Sequence, residues 1–356
     1  MMEQKKMKAV VTYAPFDNRY EEYPMPELED GEILLKVKGC GICAGDLKAY
    51  HGGIRVWGTS EADRYMEPPC IPGHEFYGEI VDMKNKDSDY EIGDLLCAEQ
   101  IIPCGECEFC RNGVYWMCQR SAVFGFKKYG NGGFAEYVKL PKTALTHKLP
   151  KTFTKEQCAL VEPIACGMHA LERASIAHDD VVVISGLGAI GLSMCNIANL
   201  ALPKMVIGLE VREERAAMAK EYGADIVLNP AKTDVAEEIR KLTGGYGCDV
   251  YVEASGSPKS VGQGMNALKN HGRYVQMGVL SDLVTADWNT IGDGKELTII
   301  GSHLSAKVYP AVIRGIEKGL IKTEGLISHC FKLEDWKKAY ETAEKAPDAI
   351  KVMLEP

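Results

Sequence analysis

Four cysteines in one short segment have the spacing of a metal-binding knuckle. They follow the pattern Cys-x2-Cys-x2-Cys-x7-Cys and are Cys104, Cys107, Cys110 and Cys118. Four thiolates this close together suit a tetrahedral zinc site with no open position, which holds a loop in shape and does no chemistry. Pro103, Gly105 and Gly113 supply turns for a chain that wraps around a metal. The sequence therefore predicts a structural zinc here.

A second set of possible metal ligands is spread over three segments. Cys43 ends the run Cys-Gly-Ile-Cys that begins at Cys40, and His74 directly precedes Glu75. One cysteine, one histidine and a carboxylate such as Glu162 would form a three-ligand zinc site with one open position, as a catalytic zinc requires. Taken alone, Cys43 is as typical of a small buried apolar residue and His74 of a hydrogen-bonded surface histidine. The prediction depends on their being found together.

A glycine-rich loop follows an apolar segment in the middle of the chain. Residues 186–191 read Gly-Leu-Gly-Ala-Ile-Gly, come directly after the strand-like residues 181–185 and precede a helical pattern, which is the context that a dinucleotide-binding loop requires. In such a loop the first glycine makes a tight turn, the second lets the backbone approach a pyrophosphate and the third allows close helix–strand packing. The candidate cofactor contacts are Gly186, Gly188, Ile190 and Gly191.

Glu210 follows the next apolar strand, 19 residues beyond Gly191. A carboxylate there would accept both ribose hydroxyls of an adenosine and repel a 2′-phosphate, so the sequence favours NAD over NADP. Arg212 and Arg215 follow closely. Either guanidinium could receive a 2′-phosphate, or both could lie on the solvated face of the next helix.

Two regions of different character must position these residues. A chain of 356 residues exceeds the usual size of one hydrophobic core, so two domains are expected. Up to about Leu149 short β-rich runs alternate with turns. After Pro150 apolar strands alternate with helical stretches, which predicts an α/β fold with a doubly wound parallel sheet. Its six predicted strands are residues 181–185, 205–209, 226–228, 250–254, 274–277 and 298–301.

Composition excludes several classes of protein. A formal net charge of −9 argues against nucleic acid as the main partner. Thiolate metal ligands need a reducing compartment, so we expect a cytoplasmic protein. Residues 181–203 carry no charge and could be taken for a membrane span. The glycines and asparagines that interrupt them favour a strand, turn and helix instead, so no membrane partner is expected.

The whole set of motifs resembles the zinc-dependent medium-chain alcohol dehydrogenase family. The segments Gly-Ile-Cys (41–43) and Gly-His-Glu (73–75), the cysteine knuckle and the glycine loop occur in the family's order over nearly the full length. Glu162-Pro163 stands where sorbitol and other polyol dehydrogenases have a glutamate at the catalytic metal. The likeness is to the polyol (sorbitol, erythritol, threitol) and threonine dehydrogenase branch.

The resemblance implies roles for individual residues. Cys43 and His74 match the constant ligands of a catalytic zinc, and Glu75 and Glu162 match carboxylates that bind it directly or through water. Asp46 matches an acid that orients the ligand histidine. Lys351 resembles a basic residue that touches the cofactor phosphate, although a solvated lysine is as consistent with its position.

The resemblance also implies the domain organisation. A GroES-like, β-rich catalytic domain would comprise residues 1–158 and 303–356, and a Rossmann NAD-binding domain residues 159–302, with the active site between them. Two zinc ions per chain, one catalytic and one structural, and NAD would be the cofactors. The family implies a homodimer or a homotetramer.

One position departs from the family's pattern. Relatives have a serine or threonine two residues after the catalytic cysteine, where its hydroxyl passes a proton outward, but here the residue is Gly45. We expect a water held by Glu75 or Glu162 to replace it, with Lys48, Tyr50 and His51 as alternatives. The insert 52–72 would lie beside the pocket and read substrate hydroxyls through Arg55 and Trp57, or else form a surface or subunit contact.

These residues together predict hydride transfer between a small polyol and NAD. Zinc would lower the pKa of the substrate alcohol, and the alkoxide would expel hydride to the nicotinamide. A tetritol or pentitol oxidised to its ketose is the expected substrate. The alternatives are threonine or another amino alcohol and, in a different class, a non-catalytic dinucleotide-binding protein that retains only the structural zinc.

Overall fold

The structure, a computed structural model, describes residues 5–84 and 89–356. The chain folds into two compact units. The first comprises Met1–Glu162, Tyr309–Glu317 and Thr323–Pro356. The second comprises Pro163–Val308 and Lys318–Lys322.

The first unit begins as a β-rich assembly with short helices. Its elements before the long helix are β1 (Lys6–Ala14), β2 (Asp17–Pro24), β3 (Ile33–Gly41), α1 (Ala44–Tyr50), α2 (Ile54–Trp57), β4 (Glu75–Met83), β5 (Leu95–Ala98), β6 (Ile101–Ile102), α3 (Glu108–Arg111), β7 (Ala122–Val123), β8 (Tyr137–Leu140) and β9 (Thr146–Lys148). The short β-rich runs expected in this region are confirmed. Inward-facing side chains of β3, β4, β5 and β8, Leu35, Phe76, Leu96 and Val138 among them, share one buried cluster.

The helix α4 (Lys155–Ala174) carries a proline in its interior. Pro163 has no N–H to donate to the carbonyl of Ala159, four residues earlier, so the regular hydrogen-bond pattern of the helix is interrupted there. Glu162 immediately precedes this interruption and is buried. The division between the two units falls at the same place.

The second unit alternates strands with helices. Its elements are β10 (Val181–Ser185), α5 (Ala189–Ala198), β11 (Met205–Leu209), α6 (Glu213–Glu221), β12 (Ile226–Leu228), α7 (Val235–Leu242), β13 (Cys248–Glu253), α8 (Pro258–Ala267), β14 (Leu268–Gln276) and β15 (Thr298–Gly301). All pairings are parallel, in the order β12-β11-β10-β13-β14-β15. The predicted six-stranded, doubly wound sheet is confirmed.

The chain then returns to the first unit through α9 (Tyr309–Glu317), β16 (Ile327–Lys332), α10 (Trp336–Lys345) and β17 (Lys351–Glu355). These strands complete a sheet with the order β16-β17-β3-β4-β5-β9, and β8 pairs with β3 on a branch. The β17–β3 pairing aligns Met353 with Gly41 and Leu354 with Cys40. Lys351 is thereby brought to the end of β3 from which Cys43 follows.

The uncharged residues 181–203 form β10, α5 and the turn after it, as expected. None of the helices in the described part of the chain is both long and apolar enough to cross a membrane.

Candidate functional site

The four cysteines of the knuckle converge on one point. Cys107 Sγ lies 3.5 Å from Cys110 Sγ and 3.7 Å from Cys118 Sγ, and Cys104 Sγ lies 3.9 Å from Cys110 Sγ. A disulfide would need about 2 Å. Four sulfurs at ~2.3 Å from one zinc ion in a tetrahedron lie ~3.8 Å apart, which these distances match. The donor set and its spacing both fit a structural zinc.

Backbone groups already favour thiolates in this loop. The N–H of Cys107 donates to Cys104 Sγ at 3.3 Å and the N–H of Cys104 donates to Cys118 Sγ at 3.4 Å. The backbone N–H of Glu106, aided by that of Cys107, lowers the pKa of Cys104 to about 6. Burial and the neighbouring Cys107 and Cys118 raise the pKa of Cys110 to about 12. A divalent cation is what would let all four sulfurs be thiolates at once.

A buried carboxylate fastens the knuckle to the sheet of the first unit. Tyr115, between the third and fourth cysteines, donates its hydroxyl to Glu99 Oε2 at 2.7 Å. His147 Nε2, in β9, lies 3.2 Å from Glu99 Oε1, and Glu99 is 2% exposed. Sequence reasoning missed this anchor, whose sole signal is an acidic residue directly after the apolar strand β5.

The second predicted metal site also assembles. The ligand atoms of Cys43, His74 and Glu75 all lie within 4.8 Å of one another. Cys43 caps α1: its Sγ accepts from the N–H of Gly45 at 3.4 Å, and its own N–H donates to Asp46 Oδ2 at 2.8 Å. The cap fixes the direction of the thiol.

His74 is placed by a glycine that no other residue could replace. Gly73 has a φ of +92°, and a Cβ there would come within 2.5 Å of the Phe134 ring. The His74 imidazole follows, buried, with Nδ1 3.6 Å from Asp46 Oδ1. Burial alone would lower the pKa of His74, but Asp46 and Cys43 outweigh it and raise that pKa well above its usual range.

Two buried polar atoms beside Cys43 indicate whether these residues fit a metal ion. Asp46 Oδ1 and His74 Nδ1 are both buried, and among residues 5–84 and 89–356 neither has a partner at full hydrogen-bond distance. They face each other, which is how a carboxylate orients a ligand histidine and leaves Nε2 for the metal. One thiolate, one imidazole and a carboxylate are also the donor types of a catalytic zinc. The residues present fit the ion.

Glu75 is held by a buried ion pair. Lys351 Nζ lies 2.6 Å from Glu75 Oε1 and 2.7 Å from Oε2, and both residues are buried. The carboxylate fits because residue 41 is glycine: a Cβ on Gly41 would sit 2.1 Å from Glu75 Oε2. Burial opposes the charge on Lys351, but Glu75, Cys43 and Glu162 outweigh it and raise the pKa of its ammonium.

The predicted contact of Lys351 with a cofactor phosphate stays a prediction. In the structure its third proton goes to the carbonyl of Ile42 at 3.2 Å. A lysine ammonium has three donors, and all three have acceptors inside the first unit. Lys351 is therefore not a solvated lysine. The signal in the sequence was its place inside the apolar run of residues 349–354.

Glu162 stands slightly apart from the other candidate ligands. It is 5% exposed and close enough to contribute to the raised pKa of Lys351, but it is not one of the three residues whose ligand atoms lie within 4.8 Å. Glu75 is thus paired with Lys351, whereas Glu162 is buried nearby. Because Glu75 is tied up by Lys351, Glu162 is the better candidate for the third zinc ligand.

The candidate relay residues lie along α1. His51 ends the helix that Cys43 begins and contacts Glu344, while Lys48 is exposed. Tyr50 packs edge-on against Trp336. Gly45 also lies beside the candidate ligands: a Cβ there would lie 3.7 Å from Cys43 Sγ and 3.9 Å from His74 Cε1.

Those distances are ordinary van der Waals contacts, so residue 45 can carry a side chain without strain. We expect Gly45→Ser to turn over substrate roughly tenfold faster than Gly45→Ala, because only serine supplies a hydroxyl that can pass a proton. Both variants fill the same space, so comparing their kcat values isolates the hydroxyl. Equal kcat values would show that proton transfer already runs through another group.

The insert between the two ligand segments packs onto the first unit. Trp57 donates its indole N–H to the carbonyl of Ala49 at 2.6 Å and packs against a cluster that includes Met66 and Phe126. The Phe126 ring lies 5.9 Å from the His74 imidazole, centre to centre. Trp57 therefore supports the metal site through its packing and has no donor left for substrate. Arg55, on α2, is exposed.

The glycine loop has the geometry of a phosphate cradle. Gly186 has a φ of +94°, and a Cβ on it would come within 2.6 Å of Ser255 Cα. A Cβ on Gly191 would lie 1.9 Å from the carbonyl oxygen of Gly186. A Cβ on Gly188, by contrast, would meet no other atom of the described residues closer than Arg215 Nη1 at 3.9 Å, its chain neighbours aside. Gly188 caps α5 without a side-chain acceptor, so the first N–H groups of the helix could bind an anion.

The predicted neighbours of this loop are in place. Glu210 is buried and accepts from the backbone N–H of Leu187 at 3.0 Å and of Arg212 at 2.9 Å. Arg215 does not lie on a solvated face: its Nη1 is the atom nearest to Gly188, and burial, with the nearby Arg212, lowers its pKa. Ile190 packs beside Gly167 of α4. The loop, one carboxylate and two guanidinium groups fit a dinucleotide.

Comparisons with known proteins agree with both halves of the molecule. Residues 29–151 match the family model for the alcohol dehydrogenase GroES-like domain, and residues 186–318 match that for zinc-binding dehydrogenase. The chain is 40% identical to an erythritol/L-threitol dehydrogenase of Mycolicibacterium smegmatis, over 99% of this chain and 98% of the relative. It is 34% identical to an L-threonine 3-dehydrogenase of Pyrococcus horikoshii, over 94% of this chain and 95% of that one.

Among solved structures, a protein described as a zinc-binding dehydrogenase from Sinorhizobium meliloti, bound to NADP, superposes with a TM-score of 0.90. It shares 28% sequence identity, and the match covers 99% of this chain and 100% of that chain.

Proposed function

We propose that this protein, which belongs to the zinc-dependent medium-chain alcohol dehydrogenase family, oxidises a secondary hydroxyl of a small polyol to a ketone with NAD as hydride acceptor. That it is a dehydrogenase of this family follows from the full-length similarity. The substrate and the choice of NAD are the proposal. The observation that carries it is the group formed by half-buried Cys43 with buried His74 and Glu75, and with buried Glu162 nearby.

The residues of the first unit would prepare the alcohol for reaction. Cys43, His74 and Glu162 would hold zinc, which supplies a Lewis acid that makes a hydroxyl easier to deprotonate. Asp46 keeps the imidazole oriented. Lys351 neutralises the charge of Glu75, which leaves the carboxylate of Glu162 available to bind zinc.

The residues of the second unit would hold the cofactor. The N–H groups at the start of α5 would donate to the pyrophosphate, Gly188 would leave room for it, and Glu210 would offer its remaining acceptor site to the adenosine ribose. We assign the GroES-like catalytic role to residues 1–158 and 303–356 and the Rossmann role to residues 159–302. We further propose a cytoplasmic homodimer or homotetramer.

The carboxylate of Glu210 favours NAD because it would repel a 2′-phosphate, whereas the guanidinium groups of Arg212 and Arg215 could bind that phosphate in NADP. We expect Glu210→Ser to shift the ratio of kcat/KM values toward NADP by roughly tenfold or more, because it removes the charge that repels a 2′-phosphate and leaves Arg212 and Arg215 in place. Kinetics with both cofactors measure the ratio. Arg215→Gln is the matched control, since it should weaken NADP and leave the NAD preference intact.

Tetritols are the proposed substrate class because the relative at 40% identity acts on erythritol and L-threitol, and Glu162 occupies the position of the polyol enzymes. A screen of NAD reduction over tetritols, pentitols, hexitols and L-threonine tests this. Fastest turnover of a tetritol or pentitol supports the proposal. Fastest turnover of L-threonine would contradict it and would agree with the similarity to the threonine dehydrogenase at 34% identity.

Metal analysis separates the enzyme from a non-catalytic binding protein. Two zinc ions per chain fit the enzyme. One zinc ion confined to the knuckle, together with no NAD reduction in the screen, would leave only a dinucleotide-binding protein.

A further inference from the structure

Glu253 is a buried carboxylate at the carboxyl ends of the strands of the parallel sheet. It is the last residue of β13 and has an exposure of 0%. Its Oε1 accepts from the N–H of Ser255 at 2.9 Å, from the Ser255 hydroxyl and from the N–H of Gly256 at 3.1 Å. Its Oε2 accepts from Gln276 Nε2 at 3.0 Å.

These contacts are those of an ionised carboxylate. Two backbone N–H groups, a hydroxyl and an amide all donate to its two oxygens, and an ionised carboxylate only accepts. Every one of these partners is neutral. The negative charge is therefore stabilised by dipoles and has no counter-ion among them, so its field extends beyond the network.

Glu253 also holds two loops in place. Its backbone carbonyl accepts from Met277 and Gly278, at 3.0 Å and 2.8 Å. Gly278 packs so tightly that a Cβ on it would come within 2.3 Å of Glu253 Oε2. Ser255 lies against Gly186 of the glycine loop. The carboxylate thus sits between the loops that follow β13 and β14, next to the glycine loop that follows β10.

The sheet order tells which half of a dinucleotide lies there. In a doubly wound sheet the ligand crosses the carboxyl ends of the strands at the point where strand order reverses, here between β10 and β13. Glu210, at the end of β11, marks the adenosine side. The other half of the cofactor, which carries the nicotinamide, must then extend over the ends of β13 and β14, where Glu253 is buried.

We propose that Glu253 is a positioning residue whose buried negative charge makes the protein bind the oxidised, cationic nicotinamide more tightly than the reduced, neutral one. The inference rests on the proposed function, since it presumes a nicotinamide cofactor. An anion attracts the pyridinium of NAD and does nothing comparable for dihydronicotinamide, which is uncharged. The bound couple is thereby biased toward the form that accepts hydride, which suits alcohol oxidation.

The test compares the binding of NAD and NADH to the zinc-loaded protein by calorimetry and by NADH fluorescence. Glu253→Gln removes the charge and keeps the shape. We expect the Kd for NAD to rise roughly tenfold, the order of effect of one unit charge across a protein interior, while the Kd for NADH changes by less than about twofold. Glu253→Asp keeps the charge and should keep the ratio of the two Kd values near that of the native protein.

Two further variants separate charge from structure. Asp180, buried at the opposite edge of the same sheet and paired with Arg273, is the matched control: Asp180→Asn removes a buried charge there and should leave the Kd ratio unchanged. Gln276→Lys places a cation beside Glu253 and should shift the ratio in the same direction as Glu253→Gln. It serves as the measurement if Glu253→Gln does not fold.

The outcomes distinguish this inference from the proposed function. A Kd ratio that moves in Glu253→Gln or Gln276→Lys, and stays in Asp180→Asn, supports it. Equal weakening of NAD and NADH, or no change in either, overturns it and leaves Glu253 with a purely structural role. If the native protein binds neither NAD nor NADH, both the cofactor assignment and this inference are overturned. If NADP and NADPH bind instead, the same ratios are measured with that couple.

Discussion

Cys43→Ala should contain one zinc ion per chain where the native protein contains two, and its kcat/KM for the best polyol should fall by roughly 10³ or more. The thiolate is one of the few candidate ligands of the catalytic ion, and the Lewis acid it helps to hold contributes several kcal/mol to the transition state. The remaining zinc should be that of the knuckle, whose four sulfurs are untouched. Elemental analysis and steady-state kinetics measure the two effects.

Cys330→Ala is the matched control for that experiment. Its thiol is exposed on β16 and belongs to neither ligand group, so zinc content and kcat/KM should stay at native values. Retention of two zinc ions by Cys43→Ala, with turnover unchanged, would contradict the assignment of the catalytic site.

Lys351→Met should lower the free energy of unfolding by about 3–5 kcal/mol, because it leaves Glu75 as an uncompensated charge in the interior. The double variant Lys351→Met/Glu75→Gln removes both charges and should recover most of that loss. Urea denaturation of the three proteins, compared with the native one, measures the coupling between the two residues.

The control is an ion pair of the same type on the surface of the same unit. Lys155 pairs with Glu355 at 2.7 Å, with about half of the lysine side chain exposed. Lys155→Met should therefore cost less than about 1 kcal/mol. Equal losses from Lys155→Met and Lys351→Met, or a double variant no more stable than Lys351→Met, would show that the buried pair is not coupled.

The parts of the fold that could be predicted are those with a local pattern. The strands of the parallel sheet are continuous apolar runs, and the place of the loop of Gly186, Gly188 and Gly191 between a strand and a helix follows from local sequence. The knuckle cysteines are close in sequence, so their convergence needed no knowledge of the rest of the chain. Cys43, His74 and Glu162 are far apart in sequence, and they were placed by resemblance to a family.

The parts that could not be predicted depend on contacts between distant segments. Lys351 reaches Glu75 only because β17 pairs with β3, and no pattern around residue 351 indicates that register. Trp57 is predicted as a substrate contact because its insert lies between the two ligand segments, but its N–H donates to the carbonyl of Ala49. The sequence places Glu253 in a predicted apolar strand and gives no indication of its role. Only the structure shows the donors that surround its buried carboxylate.

The pairing of β17 with β3 has a consequence for how the protein is made. At a synthesis rate of about 5–20 residues per second, Lys351 leaves the ribosome roughly 15–60 s after Cys43. Throughout that interval Glu75 has no ammonium to balance it, and the second unit, whose sheet is built from one continuous stretch, can already fold. The nascent chain therefore acquires its cofactor cradle early, and it cannot finish its catalytic centre until its last strand has been added.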